Sequence, residues 1–379
     1  MISNNEIIGK DLRIAIAHDY LTQKGGAERV VLTLHKAFPN APIYTNLYDP
    51  EGTFPEFKSA VVRTSPLNRI PLFRRDHRIA LPLLALSSSL MKVDADIVIT
   101  STSGWAHGFR KSGSTITYCH TPARWLYLTD EYLGREAGLS KKMAIKLLAP
   151  LLRVWDQKAA KQAGRYIANS TVVQRRILEV YGKRAPIVFP PHSVEADGEL
   201  RPVPGIREDI HGNYLLVVSR LMPYKNVDIA ICAAKLAGRD IVVVGRGPER
   251  ASLQREFGND AVFLSDLSEA ELRYVYAGAS YLIAPSFEDF GITPLEAAAW
   301  GVPTIALKSG GYLDTVIEEK TGIFFEKPEP QQIAQAIDTA TKTDWDQATI
   351  REHASKFNEQ RFILEIKDQI DRLGGVNSR

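Results

Sequence analysis

Short runs of β-branched and apolar residues alternate with longer stretches of helical period along the whole chain. In the first half the strand-like runs are residues 13–17, 43–46, 60–62, 97–100, 114–118, 166–168 and 187–189. In the second half they are 214–218, 240–244, 262–264, 281–284 and 304–306. Helical stretches such as 27–37, 151–163 and 227–236 separate most of them. Strand and helix in alternation predict parallel α/β sheets. Each half therefore reads as its own doubly wound, Rossmann-like sheet. After the run at 187–189 the chain reads PPHSVEADGELRPVPG, whose four prolines and two glycines cannot continue a helix or a central strand. The linker is placed near residues 191–212, with an N-terminal domain at 1–195 and a C-terminal domain at 196–379. The last helices are the ones available to cross back to the N-terminal domain.

Length agrees with this division, because 379 residues exceed what one hydrophobic core usually serves. Two nucleotide-fold halves predict a cleft at the carboxyl ends of both sheets, where open α/β sheets bind ligands. The two cysteines, Cys119 and Cys232, lie far apart, which excludes a disulfide framework and fits a reducing, cytoplasmic setting. The first residues lack the pattern of a secretory leader, and no apolar run approaches the roughly 20 residues of a membrane span. Net charge is only +3, yet it is unevenly spread. Residues 1–195 hold 27 Lys and Arg against 16 acids, and residues 196–379 hold 20 against 28. Such asymmetry points the first half toward an anionic partner or surface.

Four motifs sit at predicted strand ends. Gly25-Gly26-Ala27-Glu28-Arg29 opens a helix, where residues without side chains let backbone N–H groups meet a phosphate or sugar. A simple turn explains the glycine pair equally well. Arg220 and Lys225, in VVSRLMPYKN, are cations spaced to clamp a diphosphate, one as a planar fork and the other as a mobile point charge. Gly245-Arg246-Gly247 reads as a backbone turn that shapes the site, with Arg246 as a further phosphate contact. The block PSFEDFGITPLEAAAWGVP is the sharpest of the four. It puts Glu288 in a loop and Glu296 just inside the following helix, so the two acids address different parts of one ligand. The backbone at Phe290, Gly291 and Ile292 offers N–H groups to the same ligand.

This block resembles the E-x7-E signature of the family 4 retaining glycosyltransferases. GGAER, YCHTPARW, IANSTVVQRRI, VVSRLMPYKN, VGRGPE and GGYLDTV also fall in that family's order. The resemblance covers nearly the whole chain. One departure is Asp314, where the family commonly has Glu in its G-G-x-x-E segment. The resemblance implies the GT-B fold, two Rossmann-like domains facing across a cleft, and the transfer of a sugar from a nucleotide-sugar donor. It assigns Glu288, with Phe290, Gly291 and Ile292, to the donor sugar, and Arg220 and Lys225 to the diphosphate. Glu296 falls to the ribose, Gly25 and Gly26 to the diphosphate, and His120 to a place beside the reacting sugar. Base recognition falls near Leu264, Ser265 and Asp266. It also implies retention of anomeric configuration with no covalent nucleophile, no metal and no cofactor. Asp94-Ala95-Asp96 spells D-x-D but is expected to close the preceding helix.

The combination of YCHTPARW and EDFGITPLEA resembles the mannosyltransferase members that use GDP-mannose; UDP- and dTDP-sugar donors stay open. A nucleotide-sugar 2-epimerase shares the two-domain plan but not the E-x7-E block with its Arg and Lys. Residues 69–78 and 141–153 interleave cations with large apolar side chains. They read either as interfacial segments on an anionic membrane, with a glycan or lipid-linked acceptor at its inner face, or as core-facing helices with solvated cations. Nucleic acid is a poor fit, since the basic residues belong to no recognisable binding module.

Overall fold

The computed structural model describes residues 12–77, 79–128, 139–192 and 196–374. Two compact units divide the chain: residues 1–191 together with 359–379, and residues 192–358. The second unit thus ends at residue 358 rather than at the C-terminus.

The first unit holds a six-stranded parallel sheet of β1 (Ile14–His18), β2 (Ile43–Thr45), β3 (Val62–Thr64), β4 (Ile97–Thr102), β5 (Ser114–Cys119) and β6 (Arg165–Ala168). Their spatial order is β3-β2-β1-β4-β5-β6. The second unit repeats that order with β7 (Tyr214–Val218), β8 (Ile241–Val244), β9 (Val262–Leu264), β10 (Ala279–Ala284), β11 (Thr304–Leu307) and β12 (Gly322–Phe325), arranged β9-β8-β7-β10-β11-β12. Both are doubly wound sheets whose strand order reverses beside the first strand.

The principal helices are α1 (Gly26–Ala37), α2 (Leu81–Leu90), α3 (Leu139–Gln162), α4 (Thr171–Tyr181), α5 (Val227–Leu236), α6 (Arg250–Phe257), α7 (Glu269–Ala277), α8 (Thr293–Ala299), α9 (Pro330–Lys342), α10 (Gln347–Ser355) and α11 (Glu359–Gly374). Strand alternation sorts successive residues to opposite faces, and both faces are covered. In β7 and β8, Leu215, Val217, Ile241 and Val243 enter one buried cluster, while Tyr214, Leu216, Val242 and Val244 enter another. Helix ends carry local signals: Ser170 caps α4 by accepting from the Val173 N–H, and Ser268 with Glu271 forms a capping box on α7.

The structure departs from the sequence reading in several places, among them the run read at 60–62, whose strand is Val62–Thr64. Residues 187–189 form no strand; Ile187 makes one isolated bridge to Ala168, because Pro190 and Pro191 follow and bring no N–H to a ladder. The strand β12, unread from the sequence, occupies the sheet edge. α3 begins well before residue 151 and runs through Pro150. Asp94 and Asp96 close no helix: residues 92–93 pair as a short strand with 110–111 just before them, and the two carboxylates instead grip the Arg13 guanidinium.

Candidate active site

In the second unit the strands β7 and β10 are parallel neighbours, so the residues that follow them share one sheet edge. Lys225 ends a short 3-10 turn after β7, and Glu288 lies in the loop after β10. The Lys225 ammonium donates to Glu288 Oε1, and the Ser286 hydroxyl donates to the same oxygen at 3.0 Å. Asn226, next to Lys225, ties the two loops again by donating from Nδ2 to the Pro285 carbonyl at 2.9 Å. Lys225 is buried and Glu288 half-buried. Arg220 is exposed at the same strand end.

Two glycines hold the Glu288 loop from below. The Gly311 N–H donates to the Glu288 carbonyl at 2.8 Å, and a Cβ at Gly311 would stand 2.2 Å from Phe290 Cα. Gly310 has φ +64, and a Cβ there would stand 2.3 Å from the Glu288 carbonyl oxygen. Only side-chain-free residues allow this approach. Gly291, with φ +79, lies over the buried Tyr312 ring. Burial, reinforced by the Glu288 charge, pushes the Tyr312 hydroxyl well above its ordinary pKa and keeps it protonated. Asp314 sits half-buried in the single turn that follows.

Ile292 forms the N-terminal boundary of α8, and Glu296 lies in that helix's first turn, accepting from the Tyr276 hydroxyl at 2.7 Å. Arg246 and Asp266 form an ion pair that links the loops after β8 and β9. Leu264 is buried at the end of β9, while Asp266 is exposed with φ +63. Gly245 and Gly247 lie against the backbone of Ser219 and Leu221, so the loop after β8 packs directly on the Arg220 loop. The second unit therefore brings Lys225 together with Glu288, and Arg246 with Asp266. Glu296 has a partner of its own in the Tyr276 hydroxyl.

In the first unit Gly25 is the N-cap of α1 and Gly26 its first residue. A Cβ at Gly25 would stand 2.5 Å from Glu28 Oε2, whereas Gly26 has nothing within 4 Å. His120 follows β5, and its Nε2 lies 2.8 Å from Ser101 Oγ. Sequence reasoning missed the residues behind it. His18 ends β1 with its Nδ1 3.0 Å from the Ser101 carbonyl, and its Nε2 is 3.9 Å from Glu28 Oε1. Asp19, also buried, accepts from Thr102 Oγ1 at 2.7 Å and from the N–H groups of Ser103, Trp105 and Ala106 at 2.6, 3.1 and 2.6 Å. A His-Asp pair directly after an apolar strand was the available signal. Among the described residues no group of three or more His, Cys, Asp or Glu is placed to hold a metal ion.

Two family models match the chain: Glycosyltransferase Family 4 over residues 24–198, and Glycosyl transferases group 1 over residues 201–360. A GDP-mannose-dependent alpha-mannosyltransferase of Corynebacterium glutamicum is 30% identical over 346 residues, spanning 85% of this chain and 78% of that one. A GDP-mannose-dependent alpha-(1-6)-phosphatidylinositol monomannoside mannosyltransferase of Mycobacterium tuberculosis is 29% identical over 194 residues, 44% of this chain and 50% of the relative. The crystal structure of the Anabaena protein Alr3699/HepE with UDP superposes with a TM-score of 0.68 at 18% identity, covering 95% of this chain and 100% of that one. Fold, ordered motifs and the Corynebacterium relative agree, and the chain belongs to the family 4 glycosyltransferases of GT-B fold.

Proposed function

We propose that this glycosyltransferase moves α-mannose from GDP-mannose to a glycan or lipid-linked acceptor, with retention, during the synthesis of cell-envelope glycoconjugates. The observation that carries the reading is the Lys225–Glu288 pair at the carboxyl ends of adjacent strands, with Arg220 open beside it. An anionic diphosphate arriving there meets two cations, and Glu288 is left to accept from sugar hydroxyls. Glu296 receives the ribose, and the backbone at Phe290, Gly291 and Ile292 serves the sugar. Leu264 and Asp266 flank the base, and Arg246 is a further phosphate contact. From the first unit the reading takes the backbone at Gly25 and Gly26 as a diphosphate contact and His120 as a sugar contact.

The chemistry is a same-face displacement. The bond from the anomeric carbon to the diphosphate oxygen breaks, and negative charge grows on the leaving group, where Arg220 and Lys225 act most strongly. The departing oxygen takes the acceptor hydroxyl's proton as the new glycosidic bond forms on the face just vacated. No metal and no cofactor enter this scheme. The names of the Corynebacterium and Mycobacterium relatives support GDP-mannose as donor. Thermal-shift titration with GDP-, UDP- and dTDP-sugars tests it. Stabilisation by GDP-mannose at the lowest concentration is expected. Preference for UDP or dTDP overturns the donor, and conversion of a sugar to its 2-epimer overturns the transfer.

The acceptor side rests on α3. Leu147, Leu151 and Val154 fall on one face of that helix and are 81%, 71% and 70% exposed; Lys158 and Lys161 continue the same stripe. On α2, Leu83, Leu86 and Leu90 are likewise exposed. Arg78 and the side chains of Lys141, Lys142 and Lys146 lie outside the described residues. An apolar stripe running into a basic one suits the inner face of an anionic membrane, with the protein peripheral on its cytoplasmic side. No described helix is long and apolar enough to cross a membrane. Co-sedimentation with anionic vesicles, lost in Leu147→Ser/Leu151→Ser, is expected; equal binding to neutral vesicles overturns the contact.

A further inference from the structure

Three neighbouring strands of the first unit, β1, β4 and β5, end in a row of polar groups that the transfer chemistry does not by itself require. His18 and Glu28 are 2% and 1% exposed, and Ser101 is fully buried. His18 Nδ1 lies 3.0 Å from the Ser101 carbonyl oxygen and 3.1 Å from Ser101 Oγ. Ser101 Oγ in turn lies 2.8 Å from His120 Nε2. At the other end, His18 Nε2 faces Glu28 Oε1 at 3.9 Å, and Gln23 Nε2 donates to that same oxygen at 3.0 Å.

The order of protons along this row follows from one chemical fact. A carbonyl oxygen only accepts, so His18 Nδ1 must carry the hydrogen that reaches Ser101. A protonated Nδ1 has no lone pair to offer the Ser101 hydroxyl. The buried hydroxyl's own proton is then satisfied by pointing at His120 Nε2, 2.8 Å away, with that nitrogen as acceptor. His120 then carries its own ring proton on Nδ1. Glu28 completes the row from behind, since burial by itself would discharge His18. The carboxylates of Glu28 and Asp19 more than offset that, and the His18 pKa stands above its ordinary value.

We infer that Glu28, His18 and Ser101 form a positioning chain that holds His120 as the neutral imidazole with its proton on Nδ1. The inference rests on the reading of His120 as a sugar contact. A neutral ring supplies a donor to a sugar hydroxyl without setting a full positive charge beside a carbon that becomes cationic. His18, Ser101 and Glu28 act through His120 and do not themselves touch the sugar.

Nitrogen NMR of the full chain, with its histidines labelled by ¹⁵N, reads the tautomer without reference to activity. His120 is expected to show a protonated Nδ1 and an unprotonated Nε2; the reverse pattern in the native protein overturns the proposal, whatever any variant does. Ser101→Ala removes the donor, and the His120 signals should move toward the Nε2–H form. Its kcat should fall about threefold to tenfold, the share of one neutral hydrogen bond, with the donor KM held within about twofold. His18→Asn keeps an N–H where Nδ1 stood and should retain both the native tautomer and most of kcat. A Ser101→Ala protein with native tautomer and native kcat overturns the proposal, as does an Asn variant no better than Ser101→Ala. If no nucleotide sugar stabilises the protein while the tautomer is as expected, the functional reading fails and the positioning chain stands.

Discussion

An ammonium as enclosed as that of Lys225 needs a counter-charge, and Glu288 is the acid within reach. In the second unit each neutralises the other, and removing one strands its partner away from full solvation. Lys225→Met and Glu288→Gln should each cost about 1–3 kcal/mol of stability, and the double variant should recover part of that. Urea unfolding of the four proteins gives the coupling, and a coupling near zero would mean the pair is not formed. Activity should fall about 10²- to 10³-fold in each single variant, because diphosphate and sugar both lose a contact. The cation and the acid were legible because each follows a strongly apolar strand. His18 offered only the His-Asp pair at the end of an apolar run, and its partner Ser101 lies 83 positions away on another strand, so the pairing itself was hidden.

Lys111 is a second residue whose charge is set by its surroundings. The side chain is only partly buried, but its Nζ turns inward and donates to the His107 carbonyl at 2.8 Å. Burial lowers its pKa from 10.5 to about 7, with Asp19 resisting. Between those two values the unfolded chain holds a proton that the native protein has shed, so this group makes stability rise with pH across that window. Lys111→Met removes the group, and its gain in Tm should be largest near pH 6.5 and shrink toward pH 9.5. A gain that is flat or grows with pH would show the ammonium to be solvated.

Among elements, the loop after β10 depends on the turn that passes beneath it. Gly311 leaves no room for a Cβ, and the atoms it would meet are Phe290 backbone rather than a yielding side-chain tip. Gly311→Ala should therefore cost about 1–3 kcal/mol and shift the Glu288 loop, shrinking the donor-induced thermal shift. Gly26→Ala is the contrasting case. Nothing stands within 4 Å, so stability should change by no more than about 0.5 kcal/mol. If backbone at Gly26 meets the diphosphate, activity should still drop about tenfold or more. A variant with full activity would leave the glycine pair as an ordinary helix start. The GGAER and GGYLDTV motifs were both visible as glycine pairs, but the sequence could not tell which glycine was crowded, because crowding depends on how the chain folds: Gly25 meets the Glu28 side chain of its own motif, and Gly311 meets the backbone of the loop at Phe290. The central strand β7 was legible to the residue for the opposite reason: an apolar run bounded by polar turns carries its own evidence. The edge strand β12, four residues reading GIFF after Lys-Thr, offers too little pattern to separate from a turn.

At the scale of the molecule the chain closes on itself, because the last helix completes the first core. Phe362, Ile366 and Ile370 of α11 recur every four residues on one face and are buried among Ile16, Ile99, Ile116 and Val188. The Phe362 ring meets Tyr118 edge-on at 5.5 Å, and Glu359 at the head of the helix pairs with Lys36 of α1 at 3.0 Å. Among the described residues, the hydrophobic clusters of the second unit, by contrast, draw on residues between 203 and 354. The two units should therefore respond separately to a core defect in α11. Phe362→Ala opens a cavity in the first unit alone and should cost about 3–5 kcal/mol there. Calorimetry should then show an early transition of the first unit, followed by a second one near the native temperature. A single transition shifted as a whole would mean that the loss is shared by both units.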